Sequence, residues 1–211
     1  MNRPPFRGFR RTGLAILGAA VASATLGTAA SAAVPPDTSR AASAGARTAA
    51  VRGCAVVYFD LGETLVHTDE GSRIGYMPGA AAYLRTLRER HIKVGLITNV
   101  PPSWGETDAE RAATLKKEID GAWKGSTPFA WEDFGDRILT PRTEAERKPA
   151  PALWERAKTQ AHGCRLVYEG ETAEETDVAA SLGYVAYQTG RPSRPAYLPA
   201  GMIEWLAHGS R

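Results

Sequence analysis

The chain is poor in the residues that most often announce a chemistry. It has two cysteines and four histidines. No Cys-x-x-Cys pair and no Cys/His spacing of the kind that holds zinc occurs, which excludes a zinc module. No internal repeat is visible, so a solenoid or propeller is excluded. Residues 1–32 contain no acid, and the apolar run inside them, Thr12 to Ala30, is built mostly from Ala, Gly, Ser and Thr. That run approaches the length of a membrane span but gives little transfer energy, so a retained anchor is the weaker reading.

What that segment does contain is a pattern of export. Arg3, Arg7, Arg10 and Arg11 precede the apolar run, and Ala30-Ser31-Ala32 follows it as a small-x-small cleavage site. The expectation is a signal peptide over 1–32, cut after Ala32, leaving no stable membrane span. Arg10-Arg11 followed by Thr12-Gly13-Leu14 resembles a twin-arginine signal, and the choice between that and general secretion stays open. Residues 33–50 are Ala, Ser, Thr, Pro and Gly with scattered Arg, and they lack large apolar side chains to offset ordering entropy. They are expected to be a flexible linker.

Charge follows the same division. The 211-residue chain has a formal charge of +3. Taking away the four signal arginines leaves 22 basic residues against 23 acidic ones, a net of −1. The rest of the chain therefore carries no electrostatic argument for nucleic acid. With 43% apolar residues the composition is globular, and the folded part, 51–211, has the length of one domain.

Within that part, strand and helix patterns alternate. Cys54 to Phe59 is a continuous apolar run, as a strand buried on both faces requires. Pro78-Gly79 opens a helical stretch to Arg90. Strands are predicted at 92–97, 137–140, 164–168 and 184–188, and helices at 107–123, 151–161 and 174–182, the last stopping at Gly183. Such alternation predicts an α/β fold, a three-layer doubly wound parallel sheet, with ligands at the carboxyl ends of the strands. Asp60 follows the first strand, Thr98 and Asn99 the second, Lys148 the third, and the acids from Glu169 to Glu175 the fourth.

In that order these segments resemble the four motifs of the haloacid dehalogenase-like (HAD) superfamily: Phe59-Asp60-Leu61-Gly62-Glu63-Thr64-Leu65-Val66, then Leu96-Ile97-Thr98-Asn99, then Arg147-Lys148-Pro149-Ala150-Pro151, then Val167-Tyr168-Glu169-Gly170-Glu171 with Glu175. The likeness covers about residues 52–190. It implies a Rossmannoid core and a Mg²⁺-dependent phosphatase acting on a phosphorylated substrate. In such an enzyme Asp60 is the nucleophile, Thr98 binds the phosphoryl oxygens and Lys148 neutralises charge. Asp60, the carbonyl of Gly62, Glu171 and Glu175 would hold Mg²⁺, with Glu174 and Asp177 as competitors for the acid positions. Taken singly, each has a plainer reading: Asp60 as a turn residue, Thr98 as a helix cap, Lys148 as a solvated charge, the acids as a first helical turn favoured by the helix dipole.

Two departures from the resemblance bear on activity. The position two after the nucleophile, usually an Asp that serves as general acid and base, is Gly62. The segment through His67 otherwise looks like the Asp-x-Asp-Glu-Thr-Leu-Val-His motif of the carboxy-terminal-domain phosphatases. Glu63 and His67 are potential substitutes, weighed against a satisfied loop carboxylate and a solvent-facing histidine. The fourth motif has Glu where Asp is usual. A binding protein that keeps the fold and a phosphate or metal pocket is therefore the alternative to an enzyme; a dehalogenase fits Gly62 poorly. Residues 66–77 are too few for a helical cap, so an open, capless site is expected, overhung by Pro101-Pro102-Ser103-Trp104. Asn99 and Trp104 are candidate substrate contacts, while Trp123, Trp131, Trp154 and Trp205 are expected to anchor helices and loops to the sheet. Finally, the resemblance makes the first and fourth strands neighbours. Cys54 and Cys164 lie equally far before their motifs, so they are expected to form a disulfide, with two buried thiols as the alternative.

Overall fold

The computed structural model describes residues 53–208. The signal and linker segments read from the sequence, 1–32 and 33–50, lie outside the described residues.

Five parallel strands form the central sheet: β1 (Ala55–Phe59), β4 (Lys93–Ile97), β5 (Ile138–Leu139), β6 (Arg165–Gly170) and β7 (Val185–Gln188). Their spatial order is β5-β4-β1-β6-β7. The chain thus leaves β1 outward through β4 to β5, then returns to the other side of β1 with β6 and β7. The reversal falls between β1 and β6, and in sheets of this kind the crevice beyond the carboxyl ends at that point is where ligands bind. The fold class is the expected one, a three-layer doubly wound α/β domain.

Alternation along the strands makes the three layers. Val57 and Phe59 face one way, into a core with Leu84, Leu87, Leu96, Leu115, Ile119 and Ile203. That core covers α1 (Ala80–Glu89), α2 (Asp108–Ala122) and α5 (Ala200–His208). Val56 and Tyr58 face the other way, toward Leu153, Trp154, Ala157, Tyr168 and Ala179, which lie on α3 (Ala152–Gln160), α4 (Ala173–Ser181) and β6. Both faces of β1 are buried, as its unbroken apolar sequence requires.

Local signals set the helix ends. Thr107 caps α2: its hydroxyl accepts from the Glu110 amide at 3.2 Å, and the Glu110 carboxylate accepts from the Thr107 amide at 3.0 Å. Gly183, at φ 91°, stops α4 as expected. The first helix differs from its predicted start. Gly79 caps it in a left-handed conformation and Pro78 lies outside, so α1 begins at Ala80.

Two elements were not predicted. A short antiparallel hairpin, β2 (Val66–Thr68) with β3 (Ile74–Tyr76), follows β1. Its tip is wound around Asp69, whose carboxylate accepts from the Gly71 and Arg73 amides, each at 2.9 Å. Strands of three residues are too short for periodicity to register. The other is α5. It carries Trp205 to the surface at 61% exposure, so that tryptophan does not anchor the sheet. Trp154 is fully buried, and Trp123 and Trp131 pack against the core as expected. The segment between β1 and α1 holds only the hairpin, and that between β4 and β5 only α2 and single turns.

At the amino-terminal ends of the adjacent strands, Cys54 and Cys164 are joined by a disulfide with a Cα–Cα distance of 5.0 Å. The β1–β6 register, Ala55 opposite Arg165, sets the two cysteines level one residue earlier. Among the described residues no helix is long and apolar enough to cross a membrane.

Candidate active site

Asp60 is the first residue beyond β1. Its amide donates to the Glu169 carbonyl at 2.9 Å, which extends the β1–β6 ladder by one step and fixes its position. The chain then makes one tight turn: the amides of Leu65 and Val66 both donate to the Leu61 carbonyl, at 2.9 and 3.0 Å. This turn lifts the chain off the sheet and leaves the Asp60 carboxylate at the switch point, 11% exposed. From 133 residues away, the Tyr197 hydroxyl donates to the Thr64 carbonyl at 2.7 Å and pins the turn.

Lys148 arrives from the loop after β5. Its ammonium donates to Asp60 Oδ1 at 2.6 Å and to Glu175 Oε2 at 2.8 Å, with the Tyr168 hydroxyl at 3.4 Å. The Lys148 side chain is only 2% exposed. Burial by itself would lower its pKa, but Asp60 and Glu175 outweigh that, and the pKa is raised. A buried ammonium between two carboxylates is a charged group with its partners in place, so the solvated-charge reading of Lys148 does not hold.

Asn99 sets Lys148. Its side-chain oxygen accepts from the Lys148 amide at 2.8 Å and its side-chain nitrogen donates to the Lys148 carbonyl at 3.1 Å. Both polar ends of that amide are therefore used on the chain itself, and Asn99 positions the lysine. Thr98 lies just beyond β4, beside β1, 6% exposed, with its amide donating to the Leu139 carbonyl at 3.1 Å. It is not the first residue of a helix here, because the chain continues into the short turn Pro102–Trp104. Trp104 in that turn is half-buried against the core.

The fourth-strand acids separate by position. Glu175 lies in the first turn of α4 and accepts from Lys148 and, at 2.7 Å, from the Tyr168 hydroxyl. Glu171 lies just past β6 beside Asp60. Its Oε2 is buried with no hydrogen-bond partner. Burial, then the neighbouring Asp60 carboxylate, push the Glu171 pKa up to about 7. Glu169, inside β6, points to the opposite layer. It is fully buried among Tyr83, Tyr197 and Leu198, and burial pushes its pKa up to about 8. Glu174 is exposed in the first turn of α4, and Asp177 is exposed further along the same helix.

Among the described residues no three Asp, Glu, His or Cys side chains form a cluster that could itself hold a metal ion. Lys148 occupies Asp60 Oδ1 and Glu175 Oε2. The oxygens left for a hard cation are those of Asp60, the Gly62 carbonyl and the unpartnered Oε2 of Glu171. An all-oxygen set with one or two carboxylates suits Mg²⁺, which completes its shell with water and substrate phosphate. The fit is thus with Glu171 and without Glu175.

Gly62 sits on the open side of the turn, and a Cβ built on it would meet nothing within 4 Å. Glu63, next to it, takes a left-handed φ of 52°. His67 Nδ1 lies 2.8 and 3.0 Å from the two Glu63 carboxylate oxygens, and both side chains are about half exposed.

Sequence reasoning missed Tyr168 as a partner of Glu175 and Tyr197 as the pin of the Asp60 turn. Alternation on β6 puts Tyr168 and Gly170 on one face, a signal that was available for the first. The second depends on a contact across most of the chain and had none.

Fold and site together define a doubly wound α/β protein with a lysine-bound aspartate at its switch point. No protein-family model matches the chain, and no curated protein matches it. Solved structures it resembles include the following two. An uncharacterized protein from Listeria monocytogenes serotype 4b shares 15% identity, with a TM-score of 0.44, over 69% of this chain and 87% of that one. A protein from Mesorhizobium loti, provisionally assigned as a HAD-like phosphatase, shares 13% identity, with a TM-score of 0.45, over 76% of this chain and 88% of that one. Likenesses this distant carry no function across.

Proposed function

We propose that the chain is an exported, capless HAD-like hydrolase, a Mg²⁺-dependent phosphatase that works through an aspartyl-phosphate on Asp60. The observation that carries this reading is the Lys148 ammonium, buried and shared between Asp60 and Glu175, at the carboxyl end of the central strand. A structural ion pair needs no place at the switch point of the sheet; a nucleophile that must meet an anionic substrate does.

The residues divide the work as follows. An Asp60 oxygen attacks phosphorus, and the second oxygen stays on Lys148, which holds the carboxylate in place. Lys148 also lowers the cost of bringing a phosphate dianion beside a carboxylate. Glu175 and Tyr168 hold the ammonium from behind, and Asn99 fixes the backbone of the same lysine. Thr98, at the end of the neighbouring strand, would bind the phosphoryl oxygens. Asp60, the Gly62 carbonyl and Glu171 would hold Mg²⁺, which when bound screens the negative charge between nucleophile and phosphate. Among the described residues the segment between β1 and α1 holds only the hairpin, which supports an open, capless site that a phosphoryl group on a large substrate can reach. The disulfide and the signal pattern of residues 1–32 support an oxidising compartment after export.

Gly62 favours one other reading, a phosphate-binding protein without turnover. Hydrolysis of p-nitrophenyl phosphate, with and without Mg²⁺, by the wild type and Asp60→Asn decides between them. The phosphatase reading expects Mg²⁺-dependent turnover that Asp60→Asn abolishes. Lack of turnover over a panel of phosphomonoesters, or turnover that survives in Asp60→Asn, overturns it.

A further inference from the structure

We propose that His67, oriented by Glu63, is the general acid and base of this site, in place of the carboxylate that Gly62 lacks. The inference rests on the phosphatase reading and names the residue that completes it. Transfer of a phosphoryl group to Asp60 leaves an oxyanion on the departing group. For an alkyl phosphate that oxyanion is a poor leaving group until it is protonated, and neither Asp60 nor Lys148 is free to protonate it, because each is engaged with the other.

Several observations bring an imidazole to the open side of the turn at Gly62. Gly62 bridges to Val66, so the chain beside Gly62 leads directly into His67. Val66 is buried at 3% exposure, and alternation along β2 turns His67 to the open side, where Gly62 and Glu63 lie. The Glu63 carboxylate takes His67 Nδ1 at 2.8 and 3.0 Å. With Nδ1 so engaged, Nε2 is the nitrogen left for chemistry, the same division of labour by which a carboxylate orients a catalytic histidine elsewhere. Glu63 makes this contact from a left-handed backbone, φ 52°. Such a conformation is unfavourable in a non-glycine residue, and backbone strain of that kind gathers at functional sites. The space over Gly62 is open: a Cβ built there meets nothing within 4 Å.

The two half-reactions balance. In the first, an Asp60 oxygen forms a bond to phosphorus. The bond from phosphorus to the ester oxygen breaks with its electron pair on that oxygen, which takes the proton from Nε2 of the imidazolium, and the alcohol leaves. In the second, neutral Nε2 takes a proton from water as the water oxygen attacks phosphorus. The bond from phosphorus to Asp60 breaks, its pair returns to the carboxylate, and phosphate leaves with the imidazolium restored.

The test compares two substrates. p-Nitrophenolate leaves without help, whereas the alkoxide of a simple alkyl phosphate needs a proton. In the full mature chain with Mg²⁺, His67→Gln is expected to lower kcat/KM for the alkyl phosphate by about 10²–10⁴-fold. Its first-transfer rate on p-nitrophenyl phosphate, read as the burst of p-nitrophenolate in a rapid-mixing experiment, is expected to change by less than about threefold. Glu63→Gln is expected to shift the same contrast in the same direction by a smaller factor, and Glu63→Asp to recover part of it. Both residues are half exposed, so unchanged melting temperatures will show that the variants fold. Equal effects on the two substrates, or none on either, overturn the role of His67 while Asp60→Asn still abolishes turnover. Turnover indifferent to Asp60→Asn overturns the phosphatase reading and this inference with it.

Discussion

Replacing Gly62 with Asp supplies the side chain whose absence most weakens the case for catalysis. The structure has room for it. A Cβ at Gly62 meets no atom within 4 Å, and its φ lies outside the left-handed region, so an aspartate enters without backbone strain. Removing a glycine also restricts the unfolded chain, which favours folding by about 0.4–1 kcal/mol. Against that stands one more carboxylate near Asp60 and Glu171, a repulsion that falls away when Mg²⁺ binds. A positioned acid and base is worth about 10²–10⁴-fold, or about 2.7–5.4 kcal/mol of barrier at 1.36 kcal/mol per tenfold. The expected result is a rise in kcat for an alkyl phosphate, bounded above by that range and reduced by whatever His67 already supplies. In Gly62→Asp the loss of His67 should then cost far less than in the wild type, because two groups offering one proton are not additive. The assay is phosphate release from an alkyl phosphomonoester, with and without Mg²⁺, on Gly62→Asp, His67→Gln and the double variant. Phosphate release by the folded double variant that is no faster than by His67→Gln alone, in a preparation where Asp60→Asn is inactive, refutes the assignment of that turn to the leaving group.

Other perturbations test the frame around the site. Lys148→Met strips the counter-charge from the Asp60 and Glu175 carboxylates, which should cost about 3–5 kcal/mol of stability at neutral pH and show as a lower melting temperature than the wild type. Cys54 and Cys164 close a span of 110 residues, worth about 4.7 kcal/mol in the chain-entropy account, so Cys54→Ser with Cys164→Ser should melt well below the wild type, and reductant should move only the latter. Glu169 has its pKa raised to about 8 in the fold, against about 4.3 in an unfolded chain. Its share of stability is therefore present below about pH 4.3 and lost as pH rises toward 8. Glu169→Gln should remove that slope, leaving stability near that of the wild type at pH 4 and above it at pH 9 in denaturant titrations.

The Glu169 case also shows where sequence reading stops. The sequence places Glu169 in a run of acids with Glu171, Glu174 and Glu175 after the fourth strand, and gives it no role of its own. The strand β6 runs to Gly170, two residues beyond its predicted end, and pleating then sends Glu169 to one layer and Tyr168 to the other. The phenol oxygen of Tyr83 lies 2.7 Å from Glu169 Oε1 and 2.6 Å from the Leu198 carbonyl. A phenol has one proton, and a carbonyl has none to give. Both contacts are satisfied when Glu169 carries a proton and donates it to Tyr83, which agrees with the raised pKa and needs no metal. The five sheet strands, by contrast, were legible because each is long or apolar enough to leave a pattern, and their order placed Asp60, Thr98 and Lys148 at one edge. Hydrogen-bond geometry was not legible: Asn99 looked like a substrate contact and proves to hold the backbone of Lys148.

The acids of the fourth strand bring these threads together. Both Glu171 and Glu175 carry one methylene more than the usual Asp, and from the sequence that extra length counts against a metal site. In the fold it has separate consequences. On Glu175 the longer arm, set in the first turn of α4, reaches a lysine ammonium and a tyrosine hydroxyl at once, at 2.8 and 2.7 Å. On Glu171 it brings a carboxylate beside Asp60 with one oxygen buried and unpartnered. A buried carboxylate oxygen without a donor is costly unless something binds it. Burial, and after it the neighbouring Asp60 carboxylate, raise the Glu171 pKa to about 7, so near neutral pH the group holds a proton part of the time. A divalent cation held by the same oxygen would displace that proton, so cation affinity should fall below pH 7 as the proton competes. Isothermal titration of Mg²⁺ at pH 6 and pH 8 reads this directly: weaker binding with proton release at the lower pH is expected. Glu171→Gln should lose the binding while Glu175→Gln retains most of it. Equal losses in the two variants would return Glu175 to the metal and take it from the lysine.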